Sequence, residues 1–81
     1  MADRPLDLRV LRQVLRRYGV WEDTSKGKGS HTTFLRRISG SVFSYPIPTH
    51  RDPVKLPYIR GCRKRFRLTA QDGISDEEFY S

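Results

Sequence analysis

The stretch Lys26-Gly27-Lys28-Gly29-Ser30-His31 sets two lysines, two glycines, a serine and a histidine side by side. Each type has a use on a phosphodiester. Lysine is a compact point charge suited to phosphate. Glycine lets backbone N–H groups come close to an anion. Histidine is the side chain best placed to move a proton near neutral pH. Thr32, Thr33 and Phe34 follow and favour a strand, so the stretch reads as a basic loop feeding a strand, with His31 at the junction. Acid–base chemistry on a phosphodiester needs a group to take a proton, a group to give one, and positive charge against the phosphorane. A histidine serves in either proton role. Lys26 and Lys28, with the N–H groups of Gly27 and Gly29, are candidates for the charge, and Ser30 for a hydrogen bond to a phosphate oxygen or to the imidazole. His50 is a candidate second proton-transfer group, provided the strands bring it to His31. Taken singly, each has a plainer reading: His31 as a solvated or core histidine, His50 as a structural residue at a strand end, the two lysines as a solvated loop.

Composition narrows the class. With 81 residues the chain is read as one domain, 1–81, with a structured core over about 6–80. The 16 Lys and Arg against 9 Asp and Glu give a charge of +7, which predicts a polyanionic partner: nucleic acid first, an anionic membrane surface second. The charge is uneven. Lys55, Arg60, Arg63, Lys64, Arg65 and Arg67 fall together with no acid among them, while Asp72, Asp76, Glu77 and Glu78 fall together with no base. Arg60, Arg63 and Lys64 are read as RNA-backbone contacts on a solvated helix face. Cys62 is the single cysteine, so no internal disulfide forms. Two histidines and one cysteine without close spacing do not suit a structural zinc site, and neither a metal nor a small-molecule cofactor is expected. No apolar run approaches the roughly 20 residues of a membrane helix. A cytoplasmic protein without a membrane span is the expectation.

The elements that position these residues follow from periodicity. Leu8, Leu11, Leu15 and Tyr18 step along one helical face, with Val10 and Val14 beside them, which predicts a helix over 6–18 closed by Gly19. Val20-Trp21-Glu22 reads as a short strand, with Trp21 assigned to the core. A second strand is predicted over 31–37, with His31, Thr33 and Leu35 on one face and Phe34 and Ile38 serving the core. Ser39-Gly40 marks a turn into a third strand, expected to stop near Tyr45 or to lie on a sheet edge because Pro46 and Pro48 cannot donate to a ladder. Leu56, Ile59, Cys62 and Phe66 predict a second helix over 57–68, with Gly61 interrupting it. Ser75 to Glu78 is a capping-box pattern flanked by the staple pair Ile74 and Phe79. A three-stranded antiparallel sheet with helices packed on one face is the simplest compact solution.

Gly29-Ser30-His31 at the start of the second strand, Tyr18-Gly19-Val20-Trp21 before it, Pro48-Thr49-His50 after the third, and the Glu77-Glu78-Phe79 ending together resemble the HicA toxin family across about residues 6–80. The resemblance implies an α+β, double-stranded-RNA-binding-domain-like α-β-β-β-α fold. It implies a toxin of a type II toxin–antitoxin system, an endoribonuclease that cleaves mRNA without a metal and is silenced by a HicB-type antitoxin. The family's catalytic histidine falls on His31. Two other readings stay open: a non-catalytic RNA-binding module of the same fold, and a scaffold that acts only through a protein partner.

Overall fold

The computed structural model describes residues 3–23 and 31–81. The order is α1 (Leu8–Arg17), β1 (Val20–Glu22), β2 (His31–Ile38), β3 (Ser41–Pro48), α2 (Leu56–Arg65), a 3-10 turn over Ala70–Asp72, and α3 (Asp76–Tyr80). The three strands form one antiparallel sheet in the order β1-β2-β3. The fold is α+β, as the periodicity predicts.

Helix α1 buries Leu11, Val14 and Leu15, and Gly19 closes it with φ +76°. It starts at Leu8 rather than at residue 6, because Leu6 forms an isolated antiparallel bridge with Val54 instead. Successive strand residues switch faces, and the register fixes which face each takes. Val20, Phe34 and Ile47 point at the helices and are buried with Leu11, Leu15, Ile59, Cys62 and Phe66. Among the described residues, no helix covers the opposite face. Trp21 pairs there with Leu35 and is 44% exposed, which corrects its assignment to the core. Period two settles the matter: with Val20 buried, its neighbour faces away.

Strand β3 takes the sheet-edge position, the alternative to a stop near Tyr45. It runs past Pro46 to Pro48. Proline interrupts a ladder only where its nitrogen faces a partner. β3 is an edge strand, and residues two apart in a strand turn their nitrogens to the same side, so both prolines face the outer edge. Gly61 does not interrupt α2 either. The Tyr45 ring lies against it, with Cζ only 2.7 Å from where a Cβ would sit. Glycine is there for close packing of strand on helix. Gly61→Ala is expected to displace that ring and lower stability by about 1–3 kcal/mol, read by thermal melting.

Helix α2 ends three residues earlier than predicted. Arg67 takes the left-handed conformation (φ +56°), the Leu68 N–H donates to the Arg63 carbonyl at 2.7 Å, and the Arg67 N–H donates to the Lys64 carbonyl at 3.2 Å. This is a Schellman closure with arginine in the usual glycine position. It turns Leu68 into the core. In α3 the Ser75 hydroxyl accepts from the Glu78 N–H at 3.1 Å, and Phe79 is fully buried, in line with the capping pattern.

Arg63, expected on the solvated face of α2, is instead buried at 3% exposure. Its Nη1 donates to Asp3 Oδ1 and to Asp76 Oδ1, each at 2.7 Å. Nε donates to the Leu68 carbonyl at 2.9 Å and Nη2 to the Ile74 carbonyl at 3.1 Å, while the guanidinium lies 4.5 Å from the Phe79 ring centre. Asp3 also accepts from the Tyr80 hydroxyl at 2.8 Å. This buried ion cluster ties the start of the chain to its end. Among the described residues, no helix is long and apolar enough to cross a membrane.

Candidate active site

The β2–β3 hairpin decides what faces His31. Ser39 (φ +50°) and Gly40 (φ +84°) make a two-residue turn with both φ positive, the kind whose twist matches the strands. From that turn the register runs without a slip from Ile38–Ser41 to His31–Pro48. His31 therefore opens β2 directly across from Pro48, and His50 comes two residues later. The two imidazole centres are 6.4 Å apart, tilted by 43°. Both side chains are exposed. The structure thus brings together the two histidines that the sequence singled out.

The segment carrying His50 is tied down on both sides. The Thr32 and Thr49 hydroxyls are 3.2 Å apart at the sheet end. Asp52 Oδ1 accepts from the Leu8 N–H at 2.8 Å, so a residue 44 positions away caps α1, while Asp7, at the N-cap position, makes no side-chain cap. Val54 exchanges two backbone hydrogen bonds with Leu6, at 2.8 and 3.3 Å. Asp52→Ala is expected to cost about 1 kcal/mol in a melt, the usual value of a helix cap. It also removes one of the ties on the segment that carries His50.

His50 lies on the wall of a pocket of about 140 Å3, together with Pro48, Arg51, Lys55 and Tyr58. Arg51 and Lys55 are exposed, and among the described residues no carboxylate lines this pocket. The pocket also adjoins the start of the ten-residue helix α2, whose first turn holds no acid. The partial positive charge of a helix N-terminus adds to the two cations there. The local field favours an anion beside His50.

The other predicted site residues fare differently. Lys26, Lys28, Gly29 and Ser30 lie outside the described residues. Arg60 and Lys64 are exposed on α2 and line an open hollow with residues 69–72, which shares no lining residue with the His50 pocket. Arg60 makes a long ion pair with Asp3, at 3.8 Å. Arg63 is removed from the RNA-facing set, because its donors are used inside the protein. Sequence reasoning missed Arg51 and Tyr58, and counted Lys55 only as part of a basic run. The available signal was their nearness to His50: Arg51 is adjacent, and Lys55 opens the helix that follows.

Burial pushes the Cys62 thiol up to about 12, which leaves it an inert core residue rather than a nucleophile. Among the described residues, no three His, Cys, Asp or Glu side chains stand together as metal ligands. Compared with known proteins, the chain matches no family model, no curated protein and no solved structure, so the reading of this site rests on its own geometry and chemistry.

Proposed function

We propose that this protein is a metal-independent endoribonuclease that works with His31 and His50 as an acid–base pair. The single observation that carries the reading is the 6.4 Å separation of the two imidazoles. A general acid or base acts within about 2.6–3.2 Å of the oxygen whose proton it transfers. Two imidazoles at this spacing leave room for one phosphate that touches both. One histidine takes the proton of the ribose 2′-hydroxyl, and that oxygen attacks phosphorus. The P–O5′ bond breaks, and the other histidine protonates the departing 5′-oxygen. One proton enters the pair and one leaves it. The products are a 2′,3′-cyclic phosphate and a 5′-hydroxyl. Arg51 and Lys55 oppose the negative charge that builds on the phosphorane, and Lys26 and Lys28, which precede His31 in the sequence, are assigned the same role.

The order of helices and strands suits a double-stranded-RNA-binding-domain-like fold, and the Gly29-Ser30-His31 resemblance to HicA toxins agrees with this chemistry. On that reading the substrate is mRNA and the protein is the toxin of a toxin–antitoxin pair. A HicB-type antitoxin covers His31 with an acidic surface, which also speeds its association with a chain of charge +7. A co-purified complex that leaves His31 uncovered contradicts this partner assignment.

The chemistry is tested with an RNA oligonucleotide cleaved in EDTA, beside a copy carrying a single 2′-deoxynucleotide at the cut. The expected result is cleavage of the first to a 2′,3′-cyclic phosphate and none of the second. Equal cleavage of both copies excludes attack by the 2′-oxygen. Salt-sensitive RNA binding with no cleavage of either favours a binding module.

A further inference from the structure

The pocket beside His50 has a chemistry that proton transfer does not use. Pro48, Pro53, Val54 and Tyr58 give it apolar walls, and Val54 is buried at 2% exposure. Its charges, Arg51 and Lys55, are exposed, and so is His50. A phosphate needs only those charges and gains nothing from an apolar wall. An aliphatic ligand needs no cations.

Size narrows the occupant further. At about 140 Å3 the pocket is below the ~300–1,000 Å3 that holds a drug-sized ligand. It suits one flat ring system. The walls are held firmly: Val54 is fixed by its two hydrogen bonds to Leu6, and Tyr58 sits in the first turn of α2, where its N–H donates to the Lys55 carbonyl at 3.1 Å. A lining that combines an aromatic ring and apolar side chains with exposed cations matches a nucleotide, whose apolar base and charged phosphate need both.

We propose that the Pro48–Tyr58 pocket is a nucleobase subsite, which takes the unstacked base of the nucleotide next to the phosphate held between His31 and His50, with Arg51 and Lys55 on that same phosphate. The inference rests on the ribonuclease reading for its placement next to the cut. It goes further in making the substrate single-stranded at that point, since a paired and stacked base does not reach such a slot. Base recognition here acts through shape and stacking on the Tyr58 ring.

The test is a binding titration that does not depend on activity. Protein labelled with nitrogen-15 is titrated with adenosine 5′-monophosphate, uridine 5′-monophosphate and ribose 5-phosphate, and backbone amide shifts are followed. The expected result is that at least one nucleotide binds about tenfold tighter than ribose 5-phosphate, the scale that stacking a base on an aromatic ring supplies. That nucleotide moves the amides of Val54 and Tyr58, and ribose 5-phosphate moves only those near His50, Arg51 and Lys55. Tyr58→Leu, which keeps an apolar side chain against the core, should erase the tenfold advantage and leave ribose 5-phosphate binding unchanged. Arg51→Ala should weaken all three probes by the same factor. Equal affinity for nucleotide and ribose 5-phosphate, or a nucleotide advantage that survives Tyr58→Leu, overturns the subsite. RNA cleavage in EDTA, assayed in parallel, separates the two ideas. Cleavage without a base advantage removes the subsite and leaves the nuclease. A Tyr58-dependent base advantage without cleavage keeps the pocket and removes the nuclease.

Discussion

His31→Ala and His50→Ala are each expected to lower the rate of RNA cleavage by about 10²–10⁴-fold, the usual contribution of a positioned general acid or base. Neither should alter the fold. Both side chains are exposed and absent from the core, so melting temperatures should stay close to wild type. The double variant is the more telling one. Two groups that act in one step are strongly non-additive, so removing both should cost little more than removing the worse of the two. If the losses simply multiply, the histidines are not acting as a pair.

Arg63→Met is expected to be the most destabilising single change outside the apolar core. It leaves the Asp3 and Asp76 carboxylates without the guanidinium that binds both at 2.7 Å. Breaking a buried ion pair by removing one partner costs about 3–5 kcal/mol. At about 4–8 °C per kcal/mol for a domain of this size, the melting temperature should drop by at least ~12 °C. The acid side of the stability profile should change as well. Burial pushes the Asp3 carboxyl up, but the hydrogen bonds from Arg63 and Tyr80 and the charges of Arg63 and Arg60 outweigh it and hold Asp3 below its ordinary 3.8. A carboxyl depressed in the folded state contributes its full stability above its unfolded value, and loses it as pH falls through the folded value. Wild type should therefore weaken below about pH 4, and in Arg63→Met that acid limb should flatten. Denaturant melts between pH 2 and 7 read both effects. An unchanged midpoint in Arg63→Met contradicts the buried cluster.

Most of the architecture was legible because the apolar spacing is regular. Leu11 and Leu15, Ile59 and Cys62, and Phe34 fall in the core where periodicity puts them. The errors have physical causes. Trp21 was assigned by its bulk, while the alternation from Val20 put it on the bare face. The two prolines leave two outcomes open in the sequence, a stop near Tyr45 or an edge position, and the strand order decides for the edge. Gly61 was read as a weak helix position, and its reason, the Tyr45 ring, lies 16 positions back in the chain. Arg63 was read by its charge. Yet Ile59, Cys62, Arg63 and Phe66 step by three, one and three, and a residue four after Ile59 shares its face. Its partners Asp3 and Asp76 lie 60 and 13 positions away, beyond the reach of local pattern. In the site, His31 and His50 were legible as chemistry, and the hairpin register supplied their proximity. Arg51, Lys55 and Tyr58 gain their meaning only once Asp52 and Val54 tie the loop back to α1 and Leu6.

The most direct test of the central claim is cleavage of one defined single-stranded RNA in EDTA by wild type, His31→Ala and His50→Ala, at equal concentration and matched folded fraction. The account predicts cleavage by wild type to a 2′,3′-cyclic phosphate, with both variants slower by about 10²-fold or more. A His31→Ala or His50→Ala protein that cuts at the wild-type rate contradicts the paired-histidine site.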